Sequence, residues 1–273
     1  MIRVLQILLI IFLTSNAIAD QEPYPGQFVN GNIGPYGLGT KILLPPGEWI
    51  VAGVSAANGG IRWAEIIFLQ TESKKIKALL NIKYPRQLEK PINEWGTNDG
   101  WRRDRHINNN TCDDYDNQIS NFHEVIIKKR QYSRIVDASC ISIYANHDIG
   151  NHSNLNSEAW NLAHEYISRN GLSYPNALVH IDNTHFRINN VIHIYFSINP
   201  EFNNINSNKN ASFKDSAWNK YNIAKYKDKN DFMINAVNIG LNTYNYNKRR
   251  FSNNRSLDLS EYNYLIKASI KEK

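Results

Sequence analysis

The sequence has little of what marks several large protein classes. It contains two cysteines and two methionines in 273 residues, and charged residues make up only 21%. It has no Gly-X-Y period, no heptad repeat and a single long apolar run, which lies at the N-terminus. These absences exclude collagen-like, coiled-coil and multi-span membrane proteins. What remains is a globular protein, because 42% hydrophobic residues suffice for a substantial core at this length.

Recognisable catalytic motifs are also missing. No G-x-S-x-G, P-loop or dinucleotide-binding fingerprint occurs. The sequence is instead rich in asparagine, with 39 residues interleaved with Trp, Ile and Tyr. That composition is typical of drift towards AT-rich codons on a folded scaffold. It therefore names no activity, and it leaves open whether the protein is an enzyme.

Residues 1–19 predict a signal peptide. Arg3 supplies a positive charge, an apolar run follows, and Ala17 and Ala19 place small residues where a signal peptidase reads, with Asp20 next. The alternative is an uncleaved anchor, but an apolar run of about ten residues is short for a hydrocarbon layer of about 30 Å. The expected location is the periplasm or the exterior, with no transmembrane segment after cleavage.

The two cysteines are predicted to form one disulfide. Cys112 and Cys140 are the only pair in the chain, and a lone pair in an oxidising compartment usually joins. The bond would close a loop of about 29 residues and contribute roughly 3–4 kcal/mol in the chain-entropy model. The alternative is a reactive thiol, for which the sequence offers no C-x-x-C motif.

The pattern of apolar residues predicts a single α+β domain over 20–273. Residues 20–40 form an irregular N-terminal arm and 254–273 a C-terminal tail. Alternation predicts antiparallel hairpins with one wet face, at 61–70 with 76–84 and at 178–181 with 191–198. Helical periodicity covers 158–170 and 231–250, and a further helix is expected within 212–226. The expected fold is therefore a mixed or antiparallel sheet packed against two to three helices.

A turn near the mature N-terminus carries a resemblance. The segment Leu44-Pro45-Pro46-Gly47-Glu48-Trp49, the two later cysteines and the closing helix resemble a group of exported bacterial proteins of unknown function. The resemblance implies export to the periplasm. It implies no activity, cofactor or catalytic residue.

A histidine and aspartate group is the main candidate for chemistry. If Asn189 and Asn190 form a hairpin turn, His180, Asp182 and His193 project from one face, opposite a row of isoleucines. Histidine beside a carboxylate is typical of a general base with its orienting group, or of a zinc site. The plainer interpretation is an asparagine-rich polar face that happens to contain two histidines.

A second candidate site lies in the long polar segment 86–121. Trp95 and Trp101 flank a turn that contains Asp99, and Arg102 and Arg103 follow. Exposed aromatic rings beside Asp and Arg can stack on sugars or hold an extended partner. The alternative is a pair of tryptophans that anchor a long loop to the core.

Metal, cofactor and nucleic-acid functions have weak support. Asp113, Asp114, Asp116 and Asn117 cluster after Cys112, but the twelve-residue calcium-loop pattern is absent. A net charge of +6 permits binding to anionic envelope surfaces, while no nucleic-acid motif occurs. The sequence therefore predicts no metal, no cofactor and no nucleic-acid partner.

The leading hypothesis is a non-enzymatic envelope-associated or binding protein, whose partner is a cell-envelope polymer or another protein. The alternative is a periplasmic hydrolase or metal-binding protein that uses His180, Asp182 and His193. A third hypothesis is an assembly subunit that pairs through a sheet edge or through the N-terminal arm.

Overall fold

The structure is a computed structural model. It describes residues 23–35, 38–56, 62–87, 138–147, 157–187, 190–207, 216–219 and 221–267. The strands within these ranges are β1 Phe28–Val29, β2 Asn32–Ile33, β3 Ile42–Leu43, β4 Trp49–Ala56, β5 Arg62–Glu72, β6 Lys75–Gln87, β7 Ala138–His147, β8 Ala177–Arg187, β9 Asn190–Ile198 and β10 Leu257–Asp258. The α-helices there are α1 Glu158–Arg169, α2 Lys227–Ser252 and α3 Asn263–Ile266.

One large sheet dominates the fold. Its seven strands lie in the order β1-β4-β5-β6-β9-β8-β7, and every neighbouring pair is antiparallel. A three-stranded sheet, in the order β10-β3-β2, lies beside it. The predicted α+β class is therefore confirmed.

The β5–β6 hairpin forms where alternation predicted it, but the expected wet face is wrong. Ser73 and Lys74 make the turn with φ of 52° and 62°, the left-handed conformation that suits two-residue hairpin loops. Asn81, predicted to face water, is only 5% exposed. The strand pattern shows which residues share a face, but it cannot show what covers that face.

The β8–β9 hairpin has a different register from the predicted one. Arg187 pairs with Asn190, so residues 188–189 separate the strands in place of Asn189 and Asn190. Each strand-to-strand pair is thereby shifted by two residues. A shift of two keeps every side chain on its predicted face, because side chains alternate with a period of two.

The first face of the large sheet carries the main core. α2 and the C-terminal segment cover it, and the aromatic ring of Tyr262 stacks on Phe196 at 4.2 Å between centroids. Gly240 allows α2 to approach the strands, because an added Cβ would lie 2.8 Å from Ile143 Cδ1 and 3.0 Å from Ile181 Cγ2. The whole helix is longer than the predicted 231–250. Within 212–226, the described residues form only a 3₁₀ turn, Ile223–Lys225, in place of the predicted helix.

The segment predicted to be a C-terminal tail packs into this core. Asn247 on α2 exchanges two 2.8 Å hydrogen bonds with the backbone of Asp258, donating to its carbonyl and accepting from its N–H. This pairing holds β10 beside the helix. The buried apolar side chains that follow are Leu257, Leu259, Tyr262, Leu265 and Ile266.

α1 covers part of the second face. Ser157 caps the helix, since its Oγ accepts a 3.2 Å hydrogen bond from the backbone N–H of Trp160. The buried side of the helix packs over β4 and β5, and the closest approach is at Gly53. A Cβ at Gly53 would lie 1.9 Å from the carbonyl oxygen of Ala159. Among the described residues, no helix is long and apolar enough to cross a membrane.

Replacing each contact glycine by alanine tests how closely the two helices pack. Gly53→Ala is expected to lower the free energy of unfolding by roughly 3 kcal/mol, because its Cβ meets backbone that cannot move independently. Gly240→Ala is expected to cost about 1 kcal/mol or less, because the atoms it meets belong to side chains and alanine favours the helix. Urea unfolding of both variants gives the comparison. Equal losses for the two variants would contradict this packing.

Candidate polar binding site

On the second face of the large sheet, the residues beyond the area covered by α1 are mostly polar. On β6, β9, β8 and β7 the residues of this face occupy three rows of register positions across the strands, which we call the polar patch. Eleven of these twelve register positions hold a residue with a polar or sulfur-bearing side chain, and Leu79 is the exception. The rows are Lys83-His193-Thr184-Cys140, Asn81-Tyr195-Asp182-Ser142 and Leu79-Ser197-His180-Tyr144.

Most of the polar patch is buried. Half-buried side chains flank its centre, at Tyr144, His180 and Tyr195. Burying a polar group is unfavourable unless hydrogen bonds replace those to water. A sheet that needed only stability would place apolar side chains here, as it does under α1. The polar residues of the patch that are at most 9% exposed are Asn81, Ser142, Asp182, Thr184, His193 and Ser197.

Asp182 lies in the middle row of the patch. The Tyr144 hydroxyl donates a 2.6 Å hydrogen bond to Oδ2 of Asp182. The other oxygen, Oδ1, is buried and has no hydrogen-bond partner, and no basic side chain in the described ranges forms an ion pair with this carboxylate. Burial raises the pKa of Asp182 to about 7, and the hydrogen bond from Tyr144 opposes that rise. The group therefore changes charge near neutral pH.

The two histidines of the patch are held by hydroxyl groups. Nδ1 of His180 forms a 2.8 Å hydrogen bond with Ser197 Oγ, and Nδ1 of His193 forms a 3.0 Å hydrogen bond with Thr184 Oγ1. Each ring also lies nearly parallel to a tyrosine. His180 is 4.7 Å from the ring centroid of Tyr144 at 20°, and His193 is 6.1 Å from that of Tyr195 at 6°.

The three residues predicted for catalysis share one face, as their parity requires. Within the described chain, however, no hydrogen bond joins Asp182 to His180 or His193. The structure therefore brings the three together in one patch without pairing a base with its orienting carboxylate. Their catalytic role stays a prediction. No group of three or more His, Cys, Asp or Glu side chains among the described residues could hold a metal ion.

Other predicted site residues lie outside the described residues. These are the ligand-contact set Trp95, Asp99, Trp101, Arg102 and Arg103, together with Cys112. Cys140 occupies a backbone position in β7 opposite Thr184. No disulfide joins described residues, and the pairing of Cys112 with Cys140 stays a prediction.

Three further residues of the patch were not among the predicted site residues: Tyr144, Tyr195 and Ser142. Among the described residues, Tyr144 makes the one side-chain hydrogen bond to the Asp182 carboxylate, and Ser142 and Tyr195 flank Asp182 in its row. A signal existed in β7, where Ile141 and Ile143 alternate with Ser142 and Tyr144. Matching that alternation to the one in β8 would have placed both polar residues beside Asp182.

His185 is the one histidine of β8 on the opposite face. It is 2% exposed, and its ring lies 5.5 Å from Tyr244 and 6.0 Å from Phe251, both on α2. Burial, with a smaller effect from the charge of Lys248, lowers the pKa of His185 to about 3. It is therefore a neutral core residue and lies outside the polar patch.

Comparisons with known proteins assign no family. No protein-family model matches the chain, and no curated protein matches it. Among solved structures, the C-terminal domain of Yurk from Bacillus subtilis subsp. subtilis str. 168 is similar, with 12% identity over 56% of this chain and 87% of that one. The TM-score is 0.24, so this likeness supports no inference about fold or function.

Replacing Asp182 by Asn tests the burial of its charge. The folded carboxyl keeps its proton up to about pH 7, whereas the unfolded one loses it near 3.8. The wild-type protein therefore loses stability as pH rises from about 4 to 7, and this loss persists at higher pH. Asp182→Asn avoids the loss and still accepts from Tyr144. The free energy of unfolding of the variant should equal that of the wild type near pH 4 and exceed it by on the order of 3 kcal/mol at pH 8.

Urea unfolding at pH 4, 6 and 8 measures this difference. The matched control is Asp228→Asn, because Asp228 is a carboxylate with 55% of its side chain exposed. This control should not show a gain that grows with pH. A gain for Asp182→Asn that is the same at all three pH values would contradict a buried, titrating carboxyl.

Proposed function

We propose that this protein is an exported, non-enzymatic binding protein and that its ligand binds at the polar patch. The observation that carries the proposal is Asp182, a carboxyl that is 6% exposed and has one oxygen without a hydrogen-bond partner among the described residues. Such a group is unfavourable for folding and favourable for recognition. Tyr144, His180 and Tyr195 of the patch are half-buried, so part of the patch reaches solvent.

The hydrogen bonds of the two patch histidines favour binding over catalysis. Ser197 and Thr184 each form a hydrogen bond with Nδ1 of one imidazole, and among the described residues no hydrogen bond joins either ring to Asp182. The stacked rings supply flat surfaces against which a ligand can pack. Hydroxyl, imidazole and carboxyl groups then supply hydrogen bonds. This combination is typical of a site for a small polar ligand or for one unit of an envelope polymer.

A hydrolase remains the second candidate, on one specific observation. The pKa of Asp182, at about 7, suits a general acid or base at neutral pH. In that function Asp182 would exchange a proton with the substrate, and His180 or His193 would bind or orient it. Conversion of a bound compound to product, lost in Asp182→Asn, would favour the hydrolase.

A ligand survey tests the binding site. Ligand-observed NMR with a panel of sugars, amines, amino acids and carboxylic acids should find compounds that bind the wild-type protein. Asp182→Asn should weaken their binding at least tenfold, while Asp228→Asn, whose carboxylate is exposed on α2, should leave it unchanged. If every compound found binds Asp182→Asn as well as the wild type, the polar patch is not the site.

Export and the disulfide are part of the same proposal. We expect the mature chain to begin at Asp20 and Cys112 to be bonded to Cys140. Intact-mass analysis of protein secreted by a bacterial host should show loss of residues 1–19 and a mass two hydrogens below that of the reduced form. Cys112→Ser, as a control, should show no such mass difference on reduction. A mass that retains Met1, or two free thiols, would contradict export to an oxidising compartment.

A further inference from the structure

We infer that the ligand of the polar patch presents an ammonium group to Oδ1 of Asp182. The inference rests on the proposed function, because it names the chemistry of a ligand for that same site. It follows from three features of the patch: an unpartnered carboxylate oxygen, a single acidic residue among its twelve positions, and the rings around it.

The first feature is the oxygen of the Asp182 carboxylate that has no hydrogen-bond partner. Tyr144 supplies one hydrogen bond to Oδ2, and Oδ1 has no partner in the described part of the chain. An ionised carboxylate is strongly stabilised by a charge-assisted donor at hydrogen-bond distance. A ligand ammonium group provides both the N–H and the positive charge. A ligand hydroxyl provides the hydrogen bond alone and leaves the buried charge uncompensated.

The second feature is the distribution of charge. Asp182 is the only acidic residue among the twelve positions of the patch, and the one lysine, Lys83, lies across from Glu65 of β5 in the register. An anionic ligand would be repelled by ionised Asp182. A cation at Oδ1 therefore matches the local charge better than an anion does.

The third feature is the ring surface around Asp182. Tyr195 lies directly across from Asp182 on β9, and the stacked Tyr144 and His180 lie on the row beside it. The faces of aromatic rings attract cations, and methylene groups next to an ammonium group pack well against them. The patch thus offers a carboxylate and ring faces together, which is the chemistry that recognises organic amines.

Binding of an amine should depend on pH through Asp182. The titratable groups around this residue are Tyr144 from β7, His180 from β8, His193 and Tyr195 from β9, Lys83 from β6, Glu65 from β5, and Tyr262, which acts on it from the opposite face of the sheet. An ammonium ligand selects the ionised carboxylate. Since the pKa of Asp182 is about 7, its ionised fraction rises about tenfold from pH 6 to pH 8.

The test compares two probes of nearly the same shape on the full-length mature protein. Ethanolamine carries an ammonium group at both pH values, and ethylene glycol carries a hydroxyl in its place. Backbone amide shifts of β8 and β9 report binding in each titration. We expect ethanolamine to bind about tenfold more tightly at pH 8 than at pH 6, and at least tenfold more tightly than ethylene glycol at pH 8.

Two variants assign the effect to its residue. Asp182→Asn should lose the preference for ethanolamine, and Asp228→Asn should keep it. Equal binding of the two probes at the patch would overturn the ammonium inference while leaving the proposed binding site in place. Failure of ethanolamine to shift β8 or β9, or an undiminished preference in Asp182→Asn, would also overturn it. The proposed function itself stands or falls with the wider ligand survey.

Discussion

The burial of one carboxyl group is the constraint on which the rest of the site depends. Asp182 lies in the central row of a polar patch, with Tyr144 as its hydrogen-bond donor and with burial holding its pKa near 7. Replacing a buried charge by an apolar group of similar size is often neutral or stabilising. A chain shaped only for stability would therefore gain from an apolar residue at this position. That unfavourable placement is the physical reason for our proposal that the patch binds a ligand.

The unequal lengths of α1 and α2 explain why the polar patch lies where it does. α2 and the C-terminal segment seal the first face of the sheet, whereas α1 is short and packs over β4 and β5 on the second. Gly53 and Gly240 set these contacts, because each removes the Cβ that would keep helix and sheet apart. On this second face, the strands β6, β9, β8 and β7 carry mostly polar side chains that can form hydrogen bonds.

Local sequence patterns could predict the faces of the strands but not their surroundings. The parity of their positions alone places His180, Asp182 and His193 on one face. The predicted β8–β9 register was wrong by two residues, and an even shift leaves each side chain on its predicted face. Asn81 on the supposed wet face is buried and donates a 2.8 Å hydrogen bond to Oε1 of Glu65, and alternation does not encode what covers that face. The same holds for Asn183, which donates a 2.7 Å hydrogen bond to the hydroxyl of Tyr262, 79 residues away in the chain.

The role of the C-terminal segment was equally hidden. Residues 254–273 lack a long periodic stretch, yet Leu257, Leu259 and Tyr262 are fully buried. Asn247 makes this possible, since its side-chain amide replaces a strand neighbour for the backbone of Asp258. In a chain with 39 asparagines, nothing in the sequence distinguishes this one from the rest. The role of Asn247 can be recognised only from the three-dimensional structure, which shows that its side chain is hydrogen-bonded to the backbone of Asp258.

The most direct measurement is a titration of the Asp182 carboxyl carbon by NMR, on protein labelled with ¹³C and assigned through Asp182→Asn. A midpoint near pH 7 is the result expected for a buried carboxyl whose hydrogen bond from Tyr144 does not offset its loss of water. A midpoint near pH 4, as in a solvated aspartate, would contradict it. Burial of the Asp182 carboxyl would then not be the constraint on which the site depends.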